Sequence, residues 1–146
     1  MNVKIKKLTE TATTPTRGTE YSAGYDLYAD ITQKEYIILG GDTQIIGTGI
    51  AIEIPEGYFG AIFARSGLAS KKGLRPANCV GIIDSDYRGE IKVSLHNDSP
   101  YLQKITPQER IAQLIILPYP EVEFEVVEEL TGTDRGEGGF GSTGTN

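Results

Sequence analysis

The sequence predicts an all-β protein, either a barrel or a sandwich, and three observations lead to that prediction. Short stretches of alternating apolar and polar residues recur along the chain. Turn signals rich in Gly, Pro, Asn and Asp separate these stretches about every ten residues. No stretch shows a long 3.6-residue period, so we expect helix only as a turn or two near residues 66–72. Many short strands at this spacing are typical of β-barrels and β-sandwiches.

The alternating stretches give the predicted strands in chain order. The first covers residues 3–8, and the next is the alternation of isoleucines in residues 50–54. PEG at residues 55–57 forms a turn, and residues 58–64 are predicted as the return strand. Near the end of the chain, the apolar residues of EVEFEV at 121–126 alternate with glutamates, which predicts one more strand.

The central stretch is NCVGIIDSDYRGEIKVSLHN at residues 78–97, which predicts a β-hairpin. An apolar run leads into the turn DSDYRG, and the residues after the turn alternate between apolar and polar. Asp84 and Asp86 stand two apart beside Tyr87, so in an extended segment both carboxylates point to one face. A carboxylate beside an aromatic ring suits a small-molecule pocket. The alternative is that both aspartates only form the turn by bonding their own backbone.

Size and charge exclude several classes of protein. The chain has 146 residues, enough for one domain with a core, and its formal net charge is −6. That charge argues against a general nucleic-acid binder or a protein of anionic membranes. There is no apolar run of about 18 residues, and the first residues lack the apolar region of a signal peptide. We therefore expect a soluble, non-exported protein of the cytoplasm, or of the host cytosol or nucleus if it is viral.

The chain has little material for zinc or nucleophile chemistry. It contains one Cys and one His, which leaves almost nothing for zinc sites and Ser-His or Cys-His pairs. Cys79 lies in an apolar run, which predicts a small core residue. His96 lies on the polar side of its strand, which predicts a solvated or hydrogen-bonded surface residue rather than a base.

The end of the chain, TGTDRGEGGFGSTGTN at residues 131–146, has a different composition. Ordering it costs roughly 1 to 2 kcal/mol per residue, and its one large apolar side chain offsets only about 2 to 3 kcal/mol. We therefore expect a tail that is disordered on its own. The simplest interpretation is a solubilising tail. However, its glycines allow several N–H groups to converge on one oxyanion, and Arg135, Ser142 and Thr143 add further donors. These are the groups of a phosphate-binding segment without a Walker lysine.

Two further clusters suit an anionic ligand. ARSG at residues 64–67 follows a predicted strand and opens the predicted helical turn, which brings N–H groups, a hydroxyl and the Arg65 guanidinium together. Asp26 lies beside a glycine in AGYDL, and Arg110 lies just before an apolar strand. The simpler interpretation makes Arg65 and Arg110 partners in surface ion pairs, and Asp26 a turn or cap residue.

In this order and spacing, the segments resemble the trimeric dUTPase family, the deoxyuridine triphosphate nucleotidohydrolases. The resemblance covers nearly the whole chain and rests on five motifs. These are AGYDLYA at 23–29, ARSGLA at 64–69, NCVGIIDSDYRGE at 78–90, ERIAQLI at 109–115 and RGEGGFGSTG at 135–144. One departure is Gln108, where the family pattern has Gly before the fourth motif; it concerns a turn rather than the chemistry.

The resemblance implies a distorted jelly-roll β-barrel at residues 1–130 and a flexible, Gly-rich arm at residues 131–146 that closes over the active site. It implies a homotrimer whose three sites are each assembled from all three subunits. The reaction would be Mg²⁺-assisted attack of water on the α-phosphorus of dUTP, giving dUMP and pyrophosphate. Such an enzyme limits uracil in DNA and supplies dUMP for thymidylate synthesis. No nucleic-acid or membrane partner is expected.

The resemblance also implies roles for single residues. Asp84 is the general base that orients the water and bonds the sugar 3′-OH. Tyr87 packs on the deoxyribose and excludes a 2′-OH, while Phe140 stacks on the uracil. Asp26 reaches Mg²⁺ only through water, because the triphosphate is the main ligand. The other substrate-binding residues expected are Asn78, Gly81, Ile82, Ile83 and Lys92 at the uracil edge, Arg65, Ser66, Gly67 and Gln113 at the phosphates, and Arg135, Gly141, Ser142 and Thr143 at the γ-phosphate. Whether Arg110 is structural or contacts substrate stays open.

Three other functions fit parts of the sequence. A dCTP deaminase shares the fold, although the GGFGSTG tail and the turn at residues 84–87 argue against it. A nucleotide-sensing regulatory protein would bind dUTP or a protein partner without essential catalysis, which an intact Asp84 argues against. A purely structural β-trimer would leave the tail motif without a purpose.

Overall fold

Twelve short strands and one helix make up the part of the chain that the structure describes, residues 1–139 of a computed structural model. In chain order they are β1 (Lys4–Lys7), β2 (Thr16–Arg17), β3 (Tyr25–Tyr28), β4 (Tyr36–Ile38), β5 (Thr43–Gly47), β6 (Ile50–Glu53), β7 (Tyr58–Phe63), α1 (Ser66–Lys72), β8 (Leu74–Pro76), β9 (Gly81–Ile83), β10 (Lys92–Asn97), β11 (Gln103–Ile105) and β12 (Arg110–Pro118). The all-β class predicted from the sequence is therefore correct. Within these residues no helix is long and apolar enough to cross a bilayer.

The strands form four antiparallel sheets. The largest has five strands in the order β2-β3-β12-β7-β9, and a three-stranded sheet has the order β5-β10-β8. The pairs β1-β6 and β4-β11 complete the set. Strand β12 is the centre of the largest sheet, because it pairs with β3 on one side and with β7 on the other. It thereby fixes the positions of the AGYDLYA and ARSGLA segments, which lie on or directly after its two neighbours.

The core is aliphatic and lies between the sheets. Strand β10 shows how the sequence builds it, since Val93 and Leu95 are buried while Ser94 between them is only half-buried. Such alternation is expected when one face of a sheet packs on a core. The largest fully buried apolar side chains are Leu27, Ile38, Ile46, Ile50, Leu74, Ile91, Val93, Leu95, Ile105 and Ile111.

The one helix, α1, lies where the sequence predicts it. Leu68 is its buried residue, and the basic residues Lys71 and Lys72 lie in its last turn, where they complement the helix dipole. Gly73 ends the helix with φ 67°, and its N–H bonds the carbonyls of Leu68 and Ala69. A glycine is favoured here because a side chain is strained in this left-handed conformation.

The strand positions agree with the sequence better than the strand pairing does. The first strand and the strands at residues 50–53 and 58–63 are present as predicted. However, β6 pairs with β1 and not with its presumed return strand β7. Likewise β9 and β10 do not form the predicted hairpin, because β9 pairs with β7 and β10 pairs with β5 and β8. An alternating pattern defines which face of a strand is buried, but it does not define the partner strand.

The predicted strand at residues 121–126 is wrong. Residues 119–127 contain no strand, and the apolar side chains of this segment are exposed, with Phe124 at 90% and Val126 at 98%. A strand needs a partner for its main-chain N–H and C=O groups. Within residues 1–139 this segment pairs with no other strand, so alternation alone does not produce one.

Candidate functional site

A polar pocket of about 380 Å³ lies where three of the predicted motifs meet. Asp26 lies on β3, Gln113 lies on β12, and the segment 65–67 follows β7 at the start of α1. The strand order β3-β12-β7 brings these three segments side by side, although up to 87 positions separate them in the sequence. The lining residues are Gly18, Ser22, Gly24, Asp26, Arg65, Ser66, Gly67, Arg110 and Gln113. We call this the arginine pocket.

Asp26 joins the two arginines of this pocket. Its Oδ1 accepts a hydrogen bond from Arg65 Nε at 2.7 Å, and its Oδ2 accepts one from Arg110 Nη1 at 3.2 Å. The Asp26 side chain is only 12% exposed, against 26% for Arg65 and 49% for Arg110. One carboxylate therefore holds two guanidinium groups and balances one of their two positive charges. The remaining positive charge faces the pocket and suits an anionic ligand.

This arrangement changes the interpretation of all three residues. Asp26 is neither a turn residue nor a helix cap, since it is buried in the middle of a strand. Arg65 and Arg110 are in ion pairs, as the simpler interpretation held, but with the same buried acid, which lines the pocket.

Gln113 is held in place at the edge of the same pocket. Its Nε2 donates to the carbonyl of Ala64 at 2.9 Å, and the residue lines the pocket. Gly24 gives it room, because a Cβ at Gly24 would lie 2.6 Å from Gln113 Oε1. A side chain at Gly24 would therefore collide with Gln113 of the neighbouring strand β12.

A second pocket, of about 270 Å³, lies at the turn that follows β9. Asp84 and Tyr87 line it together with Ile82, Ile83, Glu90 and Lys92. We call this the Asp84 pocket. Asp84 is exposed, and the Tyr87 hydroxyl donates to the carbonyl of Glu90 at 3.0 Å, which fixes the tyrosine across the turn. A Cβ at Gly89 would collide with the Tyr87 hydroxyl and ring, so a side chain there would displace the tyrosine.

Strand β9 offers main-chain groups to the Asp84 pocket. It is the edge strand of the five-stranded sheet, and among the strands of residues 1–139 it pairs only with β7. Its other edge therefore carries unpaired N–H and C=O groups along Gly81, Ile82 and Ile83. Asn78 lies in the turn before it, with its amide nitrogen 3.5 Å from the place that a Gly81 Cβ would occupy. A planar ligand with its own donors and acceptors can pair with such an edge.

The turn before β9 also corrects one expectation. Cys79 is exposed and not in the core, and it has a left-handed φ of 63°. The apolar run at residues 79–83 predicted burial, but the turn directs Cys79 outwards before the strand begins at Gly81. His96 agrees with the prediction of a hydrogen-bonded residue, since its Nδ1 lies 2.9 Å from Thr43 Oγ1.

The two pockets lie at opposite ends of β7 and share no lining residue. Ile83 pairs with Gly60, so Asp84 lies beside the start of β7, whereas Arg65 follows its end. The five positions from Gly60 to Arg65 span about 16 Å in an extended chain. In one chain the arginine pocket and Asp84 are therefore well separated.

Part of the predicted site lies at the end of the chain. Arg135 is exposed and its Nε donates to the carbonyl of Gly138 at 2.8 Å. Phe140, Gly141, Ser142 and Thr143 lie outside the described residues. Sequence reasoning missed Gly18 and Ser22, which line the arginine pocket. Ser22 accepts a hydrogen bond from the Thr19 N–H at 3.0 Å, and this small turn just before AGYDL is the signal that could have identified it.

Comparisons of the sequence with known proteins all point to one family. The model of the dUTPase family matches residues 10–144. The deoxyuridine 5'-triphosphate nucleotidohydrolase of Nautilia profundicola is 50% identical over 144 residues, covering 99% of each chain. The enzyme of the same name from Idiomarina loihiensis is 51% identical over 131 residues, covering 89% of this chain and 86% of its own.

Solved structures agree in fold. A variant of the Staphylococcus bacteriophage 80alpha dUTPase with dUpNHpp superposes with a TM-score of 0.88 at 30% identity, covering 98% of both chains. A variant of the phage phi11 dUTPase of S. aureus, described with a structural Mg(II) ion, gives a TM-score of 0.78 at 26% identity over 88% of this chain and 98% of its own. The sheets described above are thus the distorted jelly roll that the sequence motifs implied, and the chain belongs to the dUTPase family.

Proposed function

We propose that this protein hydrolyses dUTP to dUMP and pyrophosphate. The observation that carries the proposal is that the free main-chain edge of β9 leads directly into Asp84. A base paired along this edge places its nucleotide beside a carboxylate that can orient a water molecule. The names of the curated relatives, which are 45% to 51% identical to this chain, support the same reaction.

Selection of uracil follows from the chemistry of the free edge. Uracil presents an acceptor, a donor and an acceptor in a row, whereas cytosine presents a reversed pattern at two of these positions. Main-chain groups of Gly81, Ile82 and Ile83, with Asn78 and Lys92 beside them, can match only one of the two patterns. The wrong base leaves buried polar groups unpaired, and such mismatches reduce kcat/KM by up to roughly 10⁴-fold.

The sugar and the water are assigned to the turn after β9. The Tyr87 ring, held by its bond to the Glu90 carbonyl, packs on the deoxyribose and leaves no space for a 2′-OH. Asp84 acts as the general base, accepting a proton from the water that attacks the α-phosphorus, and it bonds the 3′-OH. The base, sugar and water are thus positioned by one short segment, residues 78–92.

The triphosphate is assigned to the arginine pocket, where Arg65, Ser66, Gly67 and Gln113 hold its oxygens. Phosphoryl transfer requires mainly positioning and charge neutralisation, which arginines and N–H groups provide. Ligand binding in this pocket places Arg110 near the phosphates, but its bond to Asp26 gives it a structural role as well.

Mg²⁺ fits this arrangement as an ion carried by the substrate. Within residues 1–139, no three His, Cys, Asp or Glu side chains are grouped to hold a metal. Both oxygens of Asp26 already accept bonds from arginines, so Asp26 suits contact with the ion through water rather than direct ligation. When bound, the ion neutralises phosphate charge.

The separation of the two pockets supports a shared site and a homotrimer. A general base acts within hydrogen-bond distance or through one water. Asp84 and the Arg65 of the same chain are about 16 Å apart along β7, too far to act on one α-phosphorus. We propose that each site combines the Asp84 pocket of one subunit with the arginine pocket of another. Residues 131–146, as a unit distinct from the barrel of residues 1–130, close over it with Arg135, Phe140, Gly141, Ser142 and Thr143.

The experiment that tests the function is a comparison of four nucleotides. Pyrophosphate release is measured with dUTP, dCTP, dTTP and UTP in the presence of Mg²⁺. We expect dUTP to be cleaved far faster than the other three. The edge of β9 excludes dCTP, Tyr87 excludes UTP, and close packing at C5 of the base excludes dTTP. Comparable rates with UTP or dTTP would contradict the proposal, and ammonia release from dCTP would indicate a deaminase. We propose a cytoplasmic location for this enzyme, or the host cytosol or nucleus if it is viral.

A further inference from the structure

The turn that carries Asn78 adopts a conformation that its own sequence does not favour. It connects β8 to β9 through residues 77–80, and Cys79 has a φ of 63°. Non-glycine residues seldom adopt this conformation unless the surroundings enforce it. Neighbouring main-chain bonds contribute, since the Cys79 N–H donates to the Pro76 carbonyl at 3.0 Å and the Val80 N–H donates to the Asn78 carbonyl at 2.7 Å.

The Arg75 side chain is the group that holds this turn from outside. Its Nη1 donates to the carbonyls of Pro76 and Ala77 at 3.1 and 3.3 Å, and it lies 3.9 Å from Cys79 Sγ. One guanidinium nitrogen thus contacts three of the residues that lead into and form the turn. Arg75 itself lies on β8, opposite His96 of β10.

Asp98 fixes the guanidinium in this orientation. It accepts two bonds from Arg75, from Nε at 2.7 Å and from Nη2 at 3.1 Å. Asp98 is itself anchored, because its N–H donates to the Gly73 carbonyl at 2.8 Å and its Oδ1 lies 3.3 Å from His96 Nε2. A planar guanidinium can bond a carboxylate on one edge and carbonyls on the other, whereas a lysine ammonium cannot bridge both in a fixed geometry.

The position of Asn78 depends on this turn. Asn78 is exposed, and its amide lies over Gly81 at the start of the free edge of β9. Within residues 1–139 its side chain forms no hydrogen bond that would fix it independently of the main chain. The orientation of its amide, and of the first groups of the free edge, is therefore set by the conformation of residues 77–80.

We propose that Arg75, fixed by Asp98, is a positioning residue for base recognition, which holds the turn at residues 77–80 so that Asn78 and the edge of β9 meet uracil. This inference rests on the function proposed above. Arg75 touches neither the substrate nor the reacting atoms, so its loss affects binding of the base more than the chemical step. The opposite view is that Arg75 and Asp98 form a surface ion pair, which contributes little to stability and nothing to specificity.

The first test is Arg75→Lys, which keeps the charge and removes the planar fork. We expect KM for dUTP to rise about ten- to hundredfold, the effect of a small misplacement, while kcat at saturation changes by less than about threefold. The ratio of kcat/KM for dUTP over dCTP should fall by about tenfold or more. The Kd of a non-hydrolysable dUTP analogue should rise with KM.

Asp98→Asn should give the same pattern of changes in KM, kcat and specificity. The matched control is Lys104→Gln, which breaks the 2.8 Å pair of Lys104 with Glu35 and should change neither KM nor specificity.

A second pair of variants tests the turn without touching Arg75. Cys79→Val places a β-branched residue at a positive φ and should raise KM and lower the dUTP/dCTP ratio. Cys79→Asn, which tolerates this φ, should keep KM within about twofold of the wild type. If Arg75 and Cys79 act through the same turn, KM of the double variant Arg75→Lys/Cys79→Val should rise by less than the product of the two single-variant increases.

The outcomes separate this inference from the proposed function. A wild-type protein that does not prefer dUTP over dCTP overturns the proposed function itself. If the wild type does prefer dUTP, the Arg75 inference is overturned when Arg75→Lys keeps the wild-type KM and specificity. It is also overturned when the variant loses kcat alone, when its kcat/KM falls equally for dUTP and dCTP, or when Cys79→Val behaves like Cys79→Asn. A thermal denaturation scan confirms that each variant is folded under the assay conditions.

Discussion

Asp84 is exposed in the turn after β9, and its proposed role rests on where it lies rather than on burial. It lines the pocket with Tyr87 and follows the free edge of β9. Asp86, two positions later, is also an exposed acid of the same turn but does not line the Asp84 pocket. The two residues therefore form a matched pair, one placed at the proposed site and one beside it.

Replacing Asp84 with Asn should separate chemistry from binding. The variant keeps the shape but removes the proposed base, so we expect kcat to fall roughly 10²- to 10⁴-fold with a much smaller change in KM. Steady-state kinetics with dUTP and Mg²⁺ measure both. Asp86→Asn is the control and should keep kcat within about threefold of wild type. A variant Asp84→Asn that retains more than about a tenth of the wild-type kcat would assign the base elsewhere, with Asp86 the next candidate.

Gln108 shows how a single departure from the family pattern is accommodated. It occupies a position where the pattern has glycine, and its φ is 63°. Its Nε2 donates to the Thr11 carbonyl at 2.8 Å, and its Oε1 accepts a bond from the Thr13 hydroxyl. These side-chain bonds tie the turn before β12 to the segment before β2 and offset the cost of the left-handed conformation. The expectation that this residue concerns a turn rather than the chemistry fits its position.

At the scale of elements, Glu109 connects the helix to the turn before β12. It accepts a bond from Lys72 Nζ at 2.7 Å, in the last turn of α1, and one from the Thr106 N–H at 3.1 Å. Burial alone would raise the pKa of Glu109, but the bonds from Lys72 and Thr106 outweigh it and hold the pKa below its usual value. A carboxyl with a lowered pKa stabilises the fold above its ordinary range, and this contribution is lost as the pH falls through the folded value.

Glu109→Gln should therefore reduce stability at neutral pH more than in acid. The bonds from Lys72 and Thr106 are weaker in the variant at neutral pH. In acid the wild-type carboxylate becomes protonated and loses its advantage, whereas the variant has no group to protonate at this position. The difference in Tm between the two proteins should therefore shrink below about pH 4. Thermal unfolding at pH 7, 5 and 3 measures this. Glu56→Gln, in the exposed turn before β7, is the control and should shift Tm little at any of these values. A difference that is constant across the three pH values would argue against the ion pair.

We predict that the end of the chain can be removed without loss of the fold. The buried apolar residues lie between Ala12 and Leu114, and the last strand ends at Pro118. Residues 119–137 are all exposed. Deleting residues 131–146 should therefore leave folding and assembly nearly intact. If this segment closes over a bound triphosphate as proposed, turnover should fall strongly in the deletion variant.

The deletion is measured by thermal unfolding, light scattering and kcat/KM for dUTP. Phe140→Trp reports closure directly, since the chain has no other Trp. Its emission should shift with a non-hydrolysable dUTP analogue and Mg²⁺, and much less with dUMP. An unmoved spectrum in an active variant would mean that the tail does not close over the base. An equal shift in emission with dUMP would show that closure does not depend on the γ-phosphate.

At the scale of the whole molecule, the separated pockets make a prediction about mixed oligomers. Asp84→Asn and Arg65→Ala each inactivate every site of a uniform trimer. If a site takes Asp84 from one subunit and Arg65 from another, random co-assembly restores an intact pair in about a quarter of sites. Co-expressed and jointly purified variants should thus reach about a quarter of wild-type activity, with a trimer mass by light scattering.

The control for this experiment is a mixture of the two variants purified separately and combined without subunit exchange, which should stay inactive. A co-assembled trimer with no recovered activity would place Asp84 and Arg65 of one site in the same chain. A monomeric protein with full activity would contradict the shared site altogether.

The sequence by itself determined the class of fold and, through its resemblance to the dUTPase family, the choice of candidate site residues. Alternation predicted strands within residues 3–8, 50–54 and 78–97, and β1, β6 and β10 lie there. In β10 the alternating apolar residues Val93 and Leu95 are the buried ones, as the pattern implies. The scarcity of Cys and His argued against zinc sites and Ser-His or Cys-His pairs. The five motifs carried the resemblance from which Asp84 is proposed as the base.

Only the tertiary structure decided which strands pair and what the single residues contact. It placed β9 on β7 rather than on β10, turned Cys79 outwards, and brought Asp26 between two arginines. Residues 121–126 have the alternation of a strand but pair with nothing in the described part of the chain. The physical reason is the same in each case. Pairing and ion-pair partners are set by contacts between segments far apart in sequence, and a local pattern carries no information about them.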